Sequence, residues 1–267
     1  MVSKIFIKYI IFCFLFVIKS ALFSQSQVVI VGELTYEQNI LPGNSESGTI
    51  IVRNIGPDSA LVRIYQKDYV FYYDGTSDYP TPGTIERSNA AWITYTPTRF
   101  YLPGNSEVTV NYVVQVPAVD TLSGTYWSML LVEPTKEIIP EEKEGMTVNT
   151  IIRYGIQIIT NIGNTGEKNI EFIDVNLMKD DEKRILLVDI KNTGELLVRP
   201  SVWAELYDST GEKIGIFEAE IARTFPGTSI RKRMDISEVA PGTYKTIIIA
   251  DCGEDDLFGL DYTLEIK

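Results

Sequence analysis

Carboxylates carry what acid–base or metal chemistry this sequence has to offer. It contains no histidine. That removes Ser-His-Asp and Cys-His nucleophile systems and every histidine-based zinc or copper site. Cys13 and Cys252 are its two cysteines, too few for a thiolate cluster, and no glycine-rich phosphate loop follows a strand and opens a helix. A glycosidase needs only two acids at a set separation, for which Glu133, Asp174 and Glu205 are the candidates. An acidic chain offers such pairs by number alone. Asp251, Glu254, Asp255 and Asp256 crowd one turn of the kind from which calcium takes oxygen ligands. Their spacing matches no standard calcium loop, and solvated turn carboxylates are the simpler reading. No cofactor or metal is called for, and the reading is of a protein that is not an enzyme.

Charge and chain ends narrow the setting. A formal charge of −12 disfavours nucleic acid, whose binding needs cations against phosphate. Lys4 and Lys8 precede the apolar run Tyr9–Ile18, and Ser24 and Ser26 supply the small residues of a cleavage site. Residues 1–26 therefore read as a secretory signal peptide. The run is about half the roughly 20 residues a membrane span requires, and no second long apolar stretch follows, so no integral membrane segment is expected after cleavage. The mature chain of about 240 residues suits two domains. Its one cysteine, Cys252, cannot form an internal disulfide and reads as a small apolar filler.

The elements that position these residues read as strands. Short runs rich in Val, Ile, Thr and Tyr recur between Gly, Pro, Asn and Asp, among them Gly48–Arg53, Ala60–Tyr65, Glu107–Val116, Tyr126–Val132, Thr147–Thr160, Arg184–Ile190 and Thr243–Ala250. Runs this short and regularly spaced indicate a sandwich or barrel. Three landmarks then repeat in order. Asn54-Ile55-Gly56 returns as Asn192-Thr193-Gly194, Pro103-Gly104-Asn105-Ser106 as Pro226-Gly227-Thr228-Ser229, and Ser123-Gly124-Thr125-Tyr126 as Pro241-Gly242-Thr243-Tyr244. The offset between copies shrinks from 138 residues at the first landmark to 118 at the third, which places an insertion of the first copy in Tyr69–Asn89. The expected fold is all-β: two tandem immunoglobulin-like β-sandwich domains, residues 27–163 and 164–267, after an N-terminal signal peptide helix. The joint falls near Asn161–Lys168. Lys179–Lys183 and Asp208–Gly211 read as hairpin turns, and Trp127 and Trp203, in apolar strand contexts, as core residues.

Residues 92–134 carry a further pattern. Trp92–Gly104 ends in a Pro-Gly turn, the strand Glu107–Val116 follows, and Ser123–Pro134 contains the Tyr126-Trp127 strand ending near a proline. This resembles the first domain of PapD-like periplasmic chaperones of the pilus-assembly type, and the likeness extends over most of residues 28–160. The two-domain plan is also similar to that of surface proteins that interact with WxL-type cell-wall proteins. The resemblance implies a client-binding cleft between the domains, where a basic pair holds the client's terminal carboxylate, and an edge strand that completes the client's sheet by β-strand addition. Arg153 falls where the resemblance puts one basic residue. Gln27–Gly32, where the second is implied, holds none. Met146, Val148 and Thr150 lie in the implied donor segment.

Two functions follow as expectations. One is an exported binding protein of the periplasm or cell surface that holds or assembles another secreted or surface protein. The other is a structural surface protein that binds glycan or matrix through the tyrosines of the insertion, Tyr69, Tyr72, Tyr73 and Tyr79, with Tyr65 just before it. Both require export. Mature protein from the native host should begin near Gln25 or Gln27, and N-terminal sequencing that finds Met1 in a membrane fraction would favour an anchor instead.

Overall fold

The computed structural model describes residues 27–135, 152–180 and 183–267. The proposed signal peptide and the candidate residues Met146, Val148 and Thr150 lie outside the described residues. The described chain is built almost wholly of strands, arranged as two tandem immunoglobulin-like sandwiches.

In the first sandwich, one sheet has the order β1 (Val28–Val31), β3 (Ser45–Asn54), β9 (Ser106–Gln115), β7 (Ile93–Thr96). The other has the order β2 (Thr35–Asn39), β11 (Tyr154–Ile162), β10 (Gly124–Thr135), β4 (Ala60–Lys67), β8 (Arg99–Leu102). A two-residue pair, β5 (Val70–Phe71) and β6 (Ser77–Asp78), lies within the insertion. The second sandwich pairs β12 (Ile170–Asp180), β13 (Lys183–Asn192) and β16 (Ser229–Asp235) in one sheet. Its other sheet has the order β15 (Lys213–Glu218), β14 (Ser201–Tyr207), β17 (Gly242–Asp251), β18 (Leu257–Ile266). All these pairings are antiparallel except β2 with β11.

The strands form because their apolar residues alternate, and a period of two sends one set to one face. In β9, Val110, Tyr112 and Val114 are buried while Thr109, Asn111 and Val113 face out. Each inward Val, Leu or Ile contributes about 1.5–3 kcal/mol. Each sandwich has its own core, one around Ile50, Leu130 and Ile156, the other around Leu186, Leu206 and Ile248. Lys232 is an exception among the inward positions of β16. Burial pushes its ammonium down to about 8, and its Nζ donates to the carbonyls of Glu220 and Pro200, at 2.8 and 3.3 Å.

The duplication is visible in the turns. Asn54 Nδ2 donates to the carbonyls of Asp58 and Leu102 while its Oδ1 accepts from Gly56 N. Asn192 does the same with Leu196, Thr224 and Gly194. The strand orders also correspond: β1-β3-β9 matches β12-β13-β16, and β11-β10-β4-β8 matches β18-β17-β14-β15. The first sandwich adds β2 and β7. The third landmark diverges. Tyr244 donates its hydroxyl to Ala240 O, a tyrosine corner, whereas Tyr126 packs its ring on Trp92.

Three local readings change. The strand expected over Thr147–Thr160 runs, within the described residues, from Tyr154 to Ile162, because β10 pairs with it as far as Gly124. Trp203 is not a core residue: Val202, Ala204 and Leu206 point inward, so alternation turns Trp203 to the outer face. Trp127 is buried, but between the sandwiches and against Phe225 rather than inside one core. Since Asn54 and Asn192 each tie three backbone groups, Asn54→Ala and Asn192→Ala should each cost about 1–3 kcal/mol by leaving buried groups unpaired. Urea denaturation measures this, and an Asn192→Ala variant as stable as the parent would contradict it.

Candidate functional site

Strand β10 connects the two places where polar groups converge. Its first residues meet the second sandwich, and its last residues stand at the opposite end of the same sheet. At that far end Glu133 faces outward yet is buried, its side chain only 10% exposed. Cross-strand pairing puts Arg63 directly opposite, and Tyr65 lies two residues along the same face. Tyr65 Oη donates to Glu133 Oε2 at 2.8 Å, Arg153 Nε lies 2.6 Å from the same oxygen, and an Arg63 nitrogen lies 3.2 Å from Oε1. The Arg63 guanidinium also sits 4.7 Å above the Tyr65 ring, a cation–π contact. Burial alone would push the Glu133 carboxyl up. The Tyr65 hydroxyl and the Arg153 and Arg63 guanidiniums outweigh it and hold the carboxyl below its ordinary range. The Tyr65 phenol is held up by burial and by the hydrogen bond it gives Glu133.

This geometry corrects the placement inferred for Arg153. The groove between domains lies near Ile162, whereas Arg153 precedes β11 at its other end, nine residues away, or about 30 Å of extended chain. Arg153 is instead ion-paired to Glu133.

The joint is made by other residues. Thr125 N donates to Glu195 O at 2.8 Å, and Leu197 N donates to Thr125 Oγ1 at 2.9 Å. Arg87 spans the seam, with one nitrogen donating to Ser123 O at 2.8 Å and another to Glu195 Oε1 at 2.9 Å. Trp127 stacks on Phe225 with ring centres 4.7 Å apart, and its Nε1 donates to Tyr69 O. Gly124 has φ +73°, and a Cβ there would lie 2.3 Å from Glu195 O, so only glycine allows the backbones to approach this closely. On the opposite flank Glu37 accepts from Asn161 Nδ2 and pairs with Arg199.

The insertion lies against this joint. Tyr73 N donates to Ser229 Oγ, and Arg231 sits over the Tyr73 ring at 5.5 Å. Tyr69 packs between Phe71 and Tyr79. Tyr72 and Tyr79 remain exposed. Two of the four tyrosines thus serve the seam, and two face solvent.

The third feature is an edge. Gln157 N donates to Leu34 O, so the backbone groups of β11 at odd positions face β2. Pairing with β2 begins at Gln157 and Thr35. Gly155 N–H and C=O face the same edge, beyond the end of β2, and no described residue pairs with them there. Leu34 and Ile152 are exposed beside it.

The carboxylates read as chemical candidates are not brought together. Glu133 belongs to the first sandwich and Asp174 and Glu205 to different sheets of the second. Glu205 is held by Lys213 at 2.7 Å and by the Tyr207 hydroxyl. At the turn after β17, Lys168 pairs with Asp256 and Glu254, at 3.0 and 3.3 Å. Among the described residues no group of three or more potential ligands is placed to hold a metal ion. Burial pushes the Cys252 thiol up to about 11, so it is protonated and packs against the second core.

No protein-family model and no curated protein matches the chain. Among solved structures, it is similar to a chain of the chaperone–tip adhesin complex of CFA/I fimbriae biogenesis, at 14% identity, TM-score 0.47, covering 88% of this chain and 97% of that one. The class 5 fimbriae chaperone CfaA is similar at 15% identity and TM-score 0.44, covering 88% and 98%. So is a chain of the CsuC–CsuE chaperone–tip adhesion subunit pre-assembly complex of Acinetobacter baumannii, at 13% identity and TM-score 0.44, covering 87% and 97%. The Glu133 cluster, the Arg87–Glu195 pair and Phe225 were missed by sequence reasoning. Arg63 and Tyr65, two apart in a strand, gave the one local signal; their partner is 70 residues away from Arg63 in sequence.

Glu133 has a lowered value in the folded state, so its contribution is present above the ordinary carboxylate range and lost as pH falls through the lowered value. Glu133→Gln should cost about 1–2 kcal/mol at pH 7, a figure kept small because both guanidiniums are half exposed. It should also flatten the loss of stability below about pH 4.5. Urea midpoints across pH 3–7 test this, and an acid limb identical to the parent's would count against it.

Proposed function

We propose that this chain is an exported, non-catalytic, chaperone-like protein that holds an extended segment of another exported protein as an added strand beside β11. The observation that carries the reading is the backbone of Gly155 at the end of β2, which no described residue pairs. An unpaired N–H and C=O on a sheet edge are a template for a further strand. Exposed Leu34 and Ile152 supply apolar contact for side chains of such a segment. The N-terminal signal features put the encounter in the periplasm or at the cell surface. In this reading the Glu133 cluster positions the chain entering β11, because Arg153 is the residue through which that chain is tied to β10.

A photo-crosslinking side chain at Ile152, introduced in the native host, should give an adduct with one co-exported protein. The same group at Tyr79 should give none. Absence of any adduct at Ile152 would overturn the proposal. Retention on cell-wall polysaccharide that is lost in a Tyr72→Ala/Tyr79→Ala variant would favour the surface-binding alternative instead.

A further inference from the structure

The second sandwich has an outer face that does not follow the usual rule for solvated sheets. An antiparallel sheet with one face on a core ordinarily turns polar residues to water on the other. In β14, Val202, Ala204 and Leu206 face the core, so Trp203, Glu205 and Tyr207 face out. Register then fixes their neighbours. Trp203 lies between Glu218 and Ile249, and Glu205 between Ile216 and Ile247. Ile216 is 51% exposed and Ile247 37%. Ile214, at the irregularity opposite Tyr207, is exposed as well. Gly259 opposite Ile249 leaves that side flat. Glu205 is the acid in the middle of this surface, and it is already paired with Lys213 and bonded by Tyr207. The result is a contiguous apolar face across β15, β14 and β17 that no described residue covers, and such faces mark interaction sites.

Its charges say what fits. On β17, Asp251 lies one row beyond Ile249 at one end and Lys245 one row beyond Ile247 at the other, while Glu218 lies in the Trp203 row on β15. None of the three forms an ion pair among the described residues. A two-fold axis parallel to the sheet, midway between two stacked copies and perpendicular to the strands, would pass over the gap between the Trp203–Ile249 row and the Glu205–Ile247 row. Stacking two copies about that axis lays the Trp203 row of one on the Ile247 row of the other. It also brings Lys245 of each over Asp251 of its partner, both on β17. The remaining acids of this face, Asp261 and Glu265, sit on the edge strand β18, outside the stacked centre. An isologous contact needs this kind of self-complementary patch, and two sheets stack face to face at about 10 Å.

We propose that this face, centred on Trp203, Ile216, Ile247 and Ile249, is a homodimer surface on which a second copy of the chain docks, leaving the β11 edge of each first sandwich free. The test is sedimentation of the purified chain, from about 1 µM to about 0.1 mM. A concentration-dependent dimer is expected. Ile216→Lys/Ile247→Lys should leave a monomer with an unchanged circular dichroism spectrum. Lys245→Glu should weaken the dimer about tenfold or more by setting like charges opposite each other, and Lys245→Glu combined with Asp251→Lys should restore it. A chain that stays monomeric throughout, or a dimer indifferent to both sets of changes, would overturn the proposal. So would a partner of another sequence captured through this face by a monomeric chain.

Discussion

The alternation of side chains along β10 is the constraint on which the rest depends. Its 12 residues pair with β11 on one side and β4 on the other, so their facing cannot slip by one without turning every side chain over. Leu130 and Val132 point inward and build the first core. The opposite face carries Trp127 at the joint and Glu133 at the far end. One strand thus couples three environments through a single register, fixed by backbone hydrogen bonds rather than by any one side chain.

Glu133 shows what that coupling requires. A carboxylate taken out of water costs several kcal/mol unless charge and hydrogen bonds return it. Here a phenol and two guanidiniums from two other segments do so. The arrangement ties β4, β10 and the residues entering β11 together on the outer face, where no apolar core would hold them. The same principle operates at the joint, where Arg87 satisfies Ser123 and Glu195 at once and its guanidinium lies over Tyr126. Polar groups in both places specify geometry, while the stability comes from the apolar surfaces around them.

The two outer sheet faces have been put to different uses. In the first sandwich the insertion and Phe225 cover the end of the face near the joint. In the second, no described residue gives the corresponding face around Trp203 and Ile247 such a cover.

Local sequence determined the class of the molecule. Strand alternation, the paired Asn-x-Gly turns and the repeated Pro-Gly and Gly-Thr-Tyr landmarks required two related sandwiches, and the missing histidine removed most catalytic chemistry. Those signals lie within a few residues of one another, because turn geometry and side-chain facing are short-range properties. Tertiary structure decided everything that depends on which strands meet. The pairing of β10 with β4 gave Glu133 its arginine, and the parallel pairing of β2 with β11 stops short of Gly155. Docking of the two sandwiches turned Trp127 into a seam residue, and the direction of β11 carried Arg153 away from the cleft. These outcomes rest on contacts between residues tens of positions apart, for which a single sequence carries no local signature.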